Sequence, residues 1–594
     1  MTPPATAEAR DALPARPDRA AAPHPAGWPT GFAWAAIALL ALAAYLYGLD
    51  GRHIPKNGDE SVYFHIARLT AASGHWLPLA SELDNMRNTK PPMLFWQGIA
   101  STAGGEHWTR WNLRLPSVVY TFAAALLAGL LAHRLTGRRG PAWVAALSFL
   151  AFFSTYRYGR PFLTNAPETF WMFLPFFVLL YWRPAAFESR LAVPLLLGIC
   201  FGITFLYKSF ALALPVGLGL AWWRLHHRGY RLAAFIRQDL AGLVITMTIA
   251  LALFGLWFAL DPEPGAIWRE FVIGENAEKF EASGGYLKTL LWGGSSIWSL
   301  ALNYPLNAGL LAVPVLALFV IGARDFRRAP IERQLLWLWV LTLFLVFALP
   351  SQRSGRYLFP AMPAIAVLLA VYWERLPRWV YLVALLLAAT IGALIGYLSW
   401  RLAGALPAAA LYTSSHWLLL LAMLAVIVAG LGWRPATRPA SVAAVFLTYL
   451  AFASTVAPLE GPAGRYDEAA RRHAAGHDVR VPCNFRAMYE ADRFLLPGAN
   501  VLGYADDGEH DARALAQRFR LFTVKVPFGG EVCEGCRVIG ERLEIRSRHT
   551  REQIDEMLRG RVFEHLFMRE LLVDARPGEP LPDRLTPGTE SECR

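Results

Sequence analysis

Residues Leu240–Leu260 read LAGLVITMTIALALFGLWFAL, a run without a single charge. A helix needs roughly 17–25 apolar residues to cross the hydrocarbon core of a bilayer, and a soluble helix of that length carries a polar face. Comparable runs stand at 32–49, 304–322, 335–350, 380–400 and 417–433. Over the 594-residue chain, 55% of residues are hydrophobic and 17% charged, where soluble domains carry about a quarter charged. The chain reads as an α-helical polytopic membrane protein.

Applied to the whole sequence, the same length rule gives about 13 spans: 32–49, 113–134, 141–156, 166–182, 191–206, 209–224, 239–260, 303–322, 334–350, 356–373, 379–400, 415–433 and 438–456. The first 30 residues, rich in Ala, Pro and Arg, read as a disordered cytoplasmic tail. No small-residue cleavage site follows 32–49, so this run is expected to stay as a span. A transmembrane domain then covers 31–458. A cytoplasmic start and an odd number of spans put the C-terminal region outside.

The charge pattern agrees. The formal net charge is +12, yet residues 459–594 hold nearly equal numbers of acids and bases. The excess lies in short loops between spans, at Arg134/Arg138/Arg139, Arg183/Arg190, Arg224/Arg228/Arg231/Arg237, Arg324/Arg327/Arg328/Arg333 and Arg434/Arg438. That is the positive-inside pattern. A nucleic-acid surface needs one contiguous basic stripe, so membrane lipids, not nucleic acid, are the expected surroundings.

Two external loops are too long to be simple connectors, 50–112 and 261–302. The first holds an amphipathic stretch, Ser61–Ala72, expected to lie as a helix on the membrane surface. The second carries Asp261, Glu263, Glu270, Glu275, Glu278 and Glu281, with glycines at 284, 285, 293 and 294, the composition of a lid or substrate loop. From 459 to 594 the sequence becomes that of a soluble α/β module, with β-like runs at 479–482, 500–502 and 521–526 and helical runs at 511–519 and 551–558. Its Cys533-x-x-Cys536 pair suits zinc, redox or structural use. In an oxidising compartment a structural disulfide is expected, either Cys533–Cys536 or Cys483 with one of them.

Ionisable groups near a membrane interface are costly and point to function. Asp59-Glu60, Lys90-Pro91-Pro92, Arg114-Leu115-Pro116-Ser117, Asn165 to Glu168, Lys208 and Arg353 to Tyr357 all fall on the outer side of the span list. If a phosphate leaves during a reaction here, cations and hydrogen-bond donors must meet its charge; Lys90, Lys208, Arg353, Arg356 and Tyr357 are suitable. A hydroxyl acceptor also needs a carboxylate base, and Asp59 is the best placed. Glu60, Asn165 and Glu168 are further candidates. Ordinary roles fit too: a helix N-terminus for Asp59 and Glu60, a turn at Lys90, interfacial anchoring for Arg353 and Arg356. His65, His75 and His107 show no metal-ligand spacing.

In this order, the motifs resemble bacterial C-type membrane glycosyltransferases. The branch is that of lipid A 4-amino-4-deoxy-L-arabinose transferases, relatives of the protein O-mannosyltransferases. Asp59-Glu60, Lys90-Pro91-Pro92 and Arg114-Leu115-Pro116-Ser117 look like the first-loop signature. Lys208 matches a Thr-Lys-Gly-type lysine, and Arg356-Tyr357 with Pro360 and Pro363 matches the later tyrosine–proline motif. The resemblance implies an inverting, undecaprenyl-phosphate-sugar-dependent glycosyltransferase of the bacterial inner membrane. Its site and C-terminal domain would be periplasmic, its acceptor lipid A or another envelope glycolipid. It makes Asp59 the catalytic carboxylate, has Lys90, Lys208 and Tyr357 hold the carrier phosphate, and leaves a divalent cation open as a cofactor.

Three positions depart from the pattern: Asn165 where a second aspartate is usual, with Glu168 one turn on; Thr89 where an acid precedes the lysine; and Val62 where a base is frequent. Fewer acids argue against an amine-bearing donor sugar and against a carboxylate metal site. A protein or cell-wall-polymer transferase is the alternative enzyme. A lipid-linked-sugar flippase is the alternative of another class, but it would place its charges at mid-membrane, with repeated halves.

Overall fold

The computed structural model describes residues 31–54, 58–182, 191–277, 285–406, 410–483, 487–505, 512–527, 533–546, 549–579 and 581. The expected tail at 1–30, the loop arginines Arg183 and Arg190, and the acids Glu278 and Glu281 lie outside these residues. The first half holds α1 (Gly31–Leu46), α2 (Gly58–Ala72), α3 (Met93–Ser101), α4 (Arg110–Thr136), α5 (Arg139–Ala151), α6 (Phe153–Gly159), α7 (Asn165–Trp182), α8 (Ala192–Tyr207), α9 (Ala213–His227), α10 (Leu232–Gln238) and α11 (Leu240–Leu260). Beyond α12 (Pro264–Ile267), a wide π-helical stretch covers Trp268–Ala277. Then come α13 (Tyr286–Trp292), α14 (Ile297–Asn307), α15 (Ala312–Asp325), α16 (Ile331–Phe347), α17 (Met362–Tyr372), α18 (Arg378–Ala405), α19 (Ser414–Gly432) and α20 (Thr437–Glu460).

All the expected spans fall on helical chain, and among the described residues seven helices are long and apolar enough to cross a membrane alone. Two expected spans are interrupted. The run 141–156 divides between α5 and α6 at Phe152, which is extended. The run 303–322 divides between α14 and α15, turning through Gly309 at φ +61°, where a Cβ would meet the Cβ of Phe153 at 2.6 Å. Only glycine fits that approach and that backbone.

Helices equally apolar in sequence take two kinds of place. Almost every residue of α17 is buried in protein. On α11 only Thr246, Ala250, Phe254 and Trp257 are buried, one stripe at helical spacing. Its other apolar side chains face outward, a surface that in water would drive association. The buried stripe packs on α8, where small residues let the backbones meet. A Cβ on Gly198 would meet Ile249 at 2.8 Å, and one on Gly202 would meet Leu253 at 2.7 Å. Steps of four on both helices show that α8 and α11 run in the same direction.

The loops gather at two ends. At one, Arg138 pairs with Glu374 at 3.4 Å, Arg375 with Asp325 at 2.9 Å, and His226 meets Gln334 at 2.6 Å; Arg438 donates to the Glu374 and Leu376 carbonyls. This is the arginine-rich end that the loop charges predicted. The opposite end carries the Asp59, Lys90, Lys208 and Arg356 segments.

The C-terminal module is a five-stranded sheet in the order β2-β1-β3-β5-β4, with β1 Asp478–Cys483, β2 Asn500–Ala505, β3 Leu521–Val526, β4 Arg537–Ile545 and β5 Phe567–Asp574. β1 runs parallel to β2 and β3, while β5 is antiparallel to β3 and β4. Cys533 and Cys536 form a disulfide, and Cys483 is also disulfide-bonded.

The module corrects the expectation for Ser61–Ala72. Helix α2 does not lie on a membrane surface; it is buried from Glu60 to Ala67. The module covers it, with Phe494 against Phe64 and Glu490 against His65 and Arg68.

Candidate active site

Asp59 and Glu60 open α2, where carboxylates suit the positive end of the helix dipole. Neighbours on a helix point about 100° apart, and here this separates their fates. Glu60 turns inward, its side chain 5% exposed. It accepts from Arg114 Nε at 2.8 Å, Arg114 Nη2 at 2.7 Å and the Phe162 backbone N–H at 2.7 Å. Arg114 also donates to the carbonyls of Leu49 and Gly51. A pair so deeply buried contributes order more than net energy, but removing one partner leaves an uncompensated charge, at about 3–5 kcal/mol. Glu60 thus holds α2 against α4 and the turn before Phe162.

Asp59 turns the other way. Its side chain is 30% exposed, and its Oδ2 accepts from Arg356 Nη1 at 2.7 Å. Arg356 stands at the start of the 3-10 turn Gly355–Ala361, capped by the Ser354 hydroxyl. The turn is tightest at Gly355, where a Cβ would strike the Asn303 side chain, and whose carbonyl accepts from Asn307 Nδ2 at 2.9 Å. Tyr357 follows, its ring packed on Phe347.

The two lysines are linked through the acidic loop. Lys90 Nζ donates to Glu275 Oε1 at 2.6 Å and to the Thr89 carbonyl at 2.7 Å. The next residue, Asn276, accepts from Ser209 at 2.8 Å, and Ser209 follows Lys208. Lys208, at the C-terminal end of α8, donates to Glu168 Oε2 at 3.1 Å. The same loop holds Arg87 through Glu263 at 2.5 Å and Asn88 through Glu270 at 3.0 Å. The expected lid is docked on the first loop by three of its carboxylates, each placed by the π-helical stretch or the turn before it.

Around these charges lie donors that the protein leaves unsatisfied. Asn165 Nδ2 and Gln97 Nε2 are buried without a partner among the described residues, an arrangement that is costly unless a ligand supplies acceptors. Gln97 is fixed from behind by Tyr207, whose hydroxyl donates to Gln97 Oε1 at 2.8 Å. Glu168 lies one turn from Asn165 on α7 and is spent on Lys208. Arg353 gives Nε to the Ala348 carbonyl and Nη1 to that of Ser295, and lies over the Tyr286 ring, while its buried Nη2 has no partner among the described residues. Through Ser295 and Tyr286 it ties the 285–302 segment down. Among the described residues no three His, Cys, Asp or Glu side chains are grouped to hold a metal ion.

Sequence reasoning missed the clamp behind the site. His65 is buried on α2; the Glu82 backbone N–H donates to its Nε2 at 3.0 Å, so Nδ1 carries the proton that it gives to Glu490 at 2.7 Å. Arg68 and Arg493 also reach Glu490. Burial alone would raise the Glu490 carboxyl, but the His65 hydrogen bond and the two arginines outweigh it and hold it far below the usual carboxylate range. Nearby, Arg52 pairs with Asp492 and Glu544 of the module. The only sequence signal was a buried-type histidine in an amphipathic stretch, and its partner lies more than four hundred residues away.

A family model described as dolichyl-phosphate-mannose-protein mannosyltransferase matches residues 55–263, a stretch that contains Asp59, Lys90, Asn165, Glu168 and Lys208. In sequence, the chain is 27% identical over 351 residues to an undecaprenyl phosphate-alpha-4-amino-4-deoxy-L-arabinose arabinosyl transferase of Edwardsiella ictaluri, covering 58% of this chain and 60% of that protein. It is 26% identical over 367 residues to another from Proteus mirabilis, covering 61% and 63%. The chain thus spans about three-fifths of the length of the curated relatives it matches. In fold, it is similar to ArnT from Cupriavidus metallidurans bound to undecaprenyl phosphate, with a TM-score of 0.59 at 17% identity, over 92% of this chain and 98% of that one. The resemblance drawn from the motifs holds: the chain is similar in sequence to the aminoarabinose transferases and shares the fold of that ArnT structure along nearly its whole length.

Proposed function

We propose that this multi-pass membrane protein is an inverting glycosyltransferase of the bacterial inner membrane that moves one sugar from undecaprenyl phosphate to lipid A or a related envelope glycolipid. The transmembrane domain, 31–458, carries the site at its periplasmic end, and the module from 459 to 594 stands in the periplasm. The arginine-rich opposite end supports that orientation. The donor class rests on the similarity to undecaprenyl phosphate-aminoarabinose transferases and to an ArnT structure bound to undecaprenyl phosphate.

One observation carries the reading: of two adjacent carboxylates, Glu60 is consumed by structure, whereas Asp59 stays accessible and is oriented by a cation, Arg356. In the reaction, the acceptor oxygen attacks the anomeric carbon from the face opposite the carrier phosphate. The bond from that carbon to the phosphate oxygen breaks, and its electrons leave with undecaprenyl phosphate. A hydroxyl acceptor gives its proton to Asp59; a phosphate acceptor has none to lose and is positioned by the site. Lys90, Lys208 and Arg356, with Tyr357, meet the phosphate charge as it develops. Lys90 and Lys208 are held by Glu275 and Glu168 in the present state, so carrier phosphate competes with carboxylates and seats as the 261–302 loop adjusts. Thr89 and Asn165, neutral where acids are usual, favour a donor sugar without the amine.

The test compares lipid A by mass spectrometry from cells with the gene intact and deleted. A sugar-sized mass present only with the intact gene supports the proposal and identifies the sugar as pentosamine, pentose, hexose or hexosamine. Identical spectra under proven expression remove lipid A as acceptor. Transfer that persists only to a protein or wall polymer would establish the other acceptor class.

A further inference from the structure

The arginine-rich end contains a cavity of about 850 Å³ between the N-terminal ends of α8 and α11 and the C-terminal end of α9. It is remote from the site just described. Helix α8 starts at this cavity and ends at Lys208 after 16 residues, roughly 24 Å at 1.5 Å per residue. Its walls are apolar, formed by Leu197, Leu220, Leu243 and Ile245. Its rim is cationic. Arg224, Arg228 and Arg237 line it against one carboxylate, Asp239, whose side chain is fully buried.

The chemistry of this rim is specific. Asp239 accepts from Arg224 and from both Nε and Nη2 of Arg228, at 2.8 and 3.2 Å. The shared carboxylate fixes two guanidinium groups in place without neutralising both. Arg237 has no carboxylate within ion-pair distance among the described residues; its Nε meets only the Ala233 carbonyl. Among the described residues lining it, three cations stand against one anion at the mouth of an apolar trough, and Arg237 is the one that no described carboxylate meets. Beside the trough, Leu240 and Val244 present bare apolar side chains, as does Leu191 at its edge, so the mouth lies where acyl chains begin. A basic pocket between spanning helices on this side of a membrane takes an anionic headgroup. The apolar walls call for chains that a free anion lacks, and the excess charge calls for a headgroup with net negative charge.

We infer that this cavity is a binding site for an anionic glycerophospholipid, its phosphodiester on Arg228 and Arg237 and a chain along α8 and α11. The site is separate from sugar transfer, and neither arginine belongs to the machinery around Asp59. The full-length protein, purified in detergent, is examined by native mass spectrometry with phosphatidylglycerol and phosphatidylethanolamine added at equal concentration. Wild type retains phosphatidylglycerol in preference, and Arg228→Gln with Arg237→Gln lowers that preference about tenfold. Arg237→Gln alone lowers it by less while disturbing no ion pair, which guards against misfolding of the double variant. Equal retention of the two lipids by wild type overturns the proposal, as does a preference that both variants keep. Displacement of phosphatidylglycerol by inorganic phosphate at like concentration would make this a simple anion site and overturn the lipid assignment. Stronger retention of undecaprenyl phosphate than of phosphatidylglycerol would overturn it in favour of the carrier. Sugar transfer measured on the same samples stays unchanged in the expected case, so failure here leaves the transferase reading intact.

Discussion

The two ends of the helical bundle treat charge in opposite ways. At the site end, each cation named above as a phosphate ligand is paired with a carboxylate from a distant segment: Arg356 with Asp59, Lys90 with Glu275, Lys208 with Glu168. The sheet module adds Glu490 on His65 and Arg68. At the other end, arginines outnumber acids among the described residues: two share the one buried Asp239, and pairs such as Arg138–Glu374 are exposed. Balanced charges drawn from far along the chain fix a geometry; an unbalanced surplus faces a charged medium. The first arrangement suits chemistry and the second a lipid surface.

The comparison is broken most severely at Glu60. Glu60→Gln or Arg114→Ala leaves half of a buried pair, so stability should fall by about 3–5 kcal/mol. Thermal unfolding in detergent reads this directly, and unfolding at the wild-type temperature would contradict the positioning role. Next come the lysines. Lys90→Ala and Lys208→Ala each remove a charge-assisted contact worth about 1.5–3 kcal/mol, so kcat/KM for the polyprenyl-phosphate donor should drop roughly 10–100-fold with the fold intact. A drop confined to the acceptor would reassign them.

A smaller effect is expected in acid. Because the folded Glu490 carboxyl is depressed, its stabilisation is present in full above the ordinary carboxylate range and is lost as pH falls through and below that range. The unfolding temperature of the wild type should decline more steeply from pH 5 to pH 3 than that of Glu490→Gln. Parallel declines would show that the clamp is not carried by this carboxylate. Least of all should be felt at the opposite end: Arg138→Gln removes an exposed pair worth under about 1 kcal/mol, and turnover should not change.

The same contrast explains what the sequence could reveal. Apolar length alone located the helices on which the expected spans fall, because a bilayer demands it over every such run, and loop arginines marked one end of the bundle. It could not separate α17, buried in protein, from α11, which faces outward, since both are apolar all round. Three strands were visible as apolar runs. β4 and β5 were not, because Arg542 and Glu570 pair with each other inside the module and break the apolar signal. Asp59, Lys90, Lys208 and Arg356 were legible as ionisable groups on one side. Glu60 was indistinguishable from Asp59 until Arg114 and Phe162 were seen to hold it. The burial of α2 and the docking of Glu275 on Lys90 both depend on partners far off in sequence.

The division of labour between Asp59 and Glu60 is tested most directly by turnover of purified, membrane-reconstituted Asp59→Asn, with its unfolding temperature measured on the same sample. The expected result is an unfolding temperature near that of the wild type and turnover lower by about 10²–10⁴-fold. Turnover equal to the wild type in a folded Asp59→Asn protein would contradict the account.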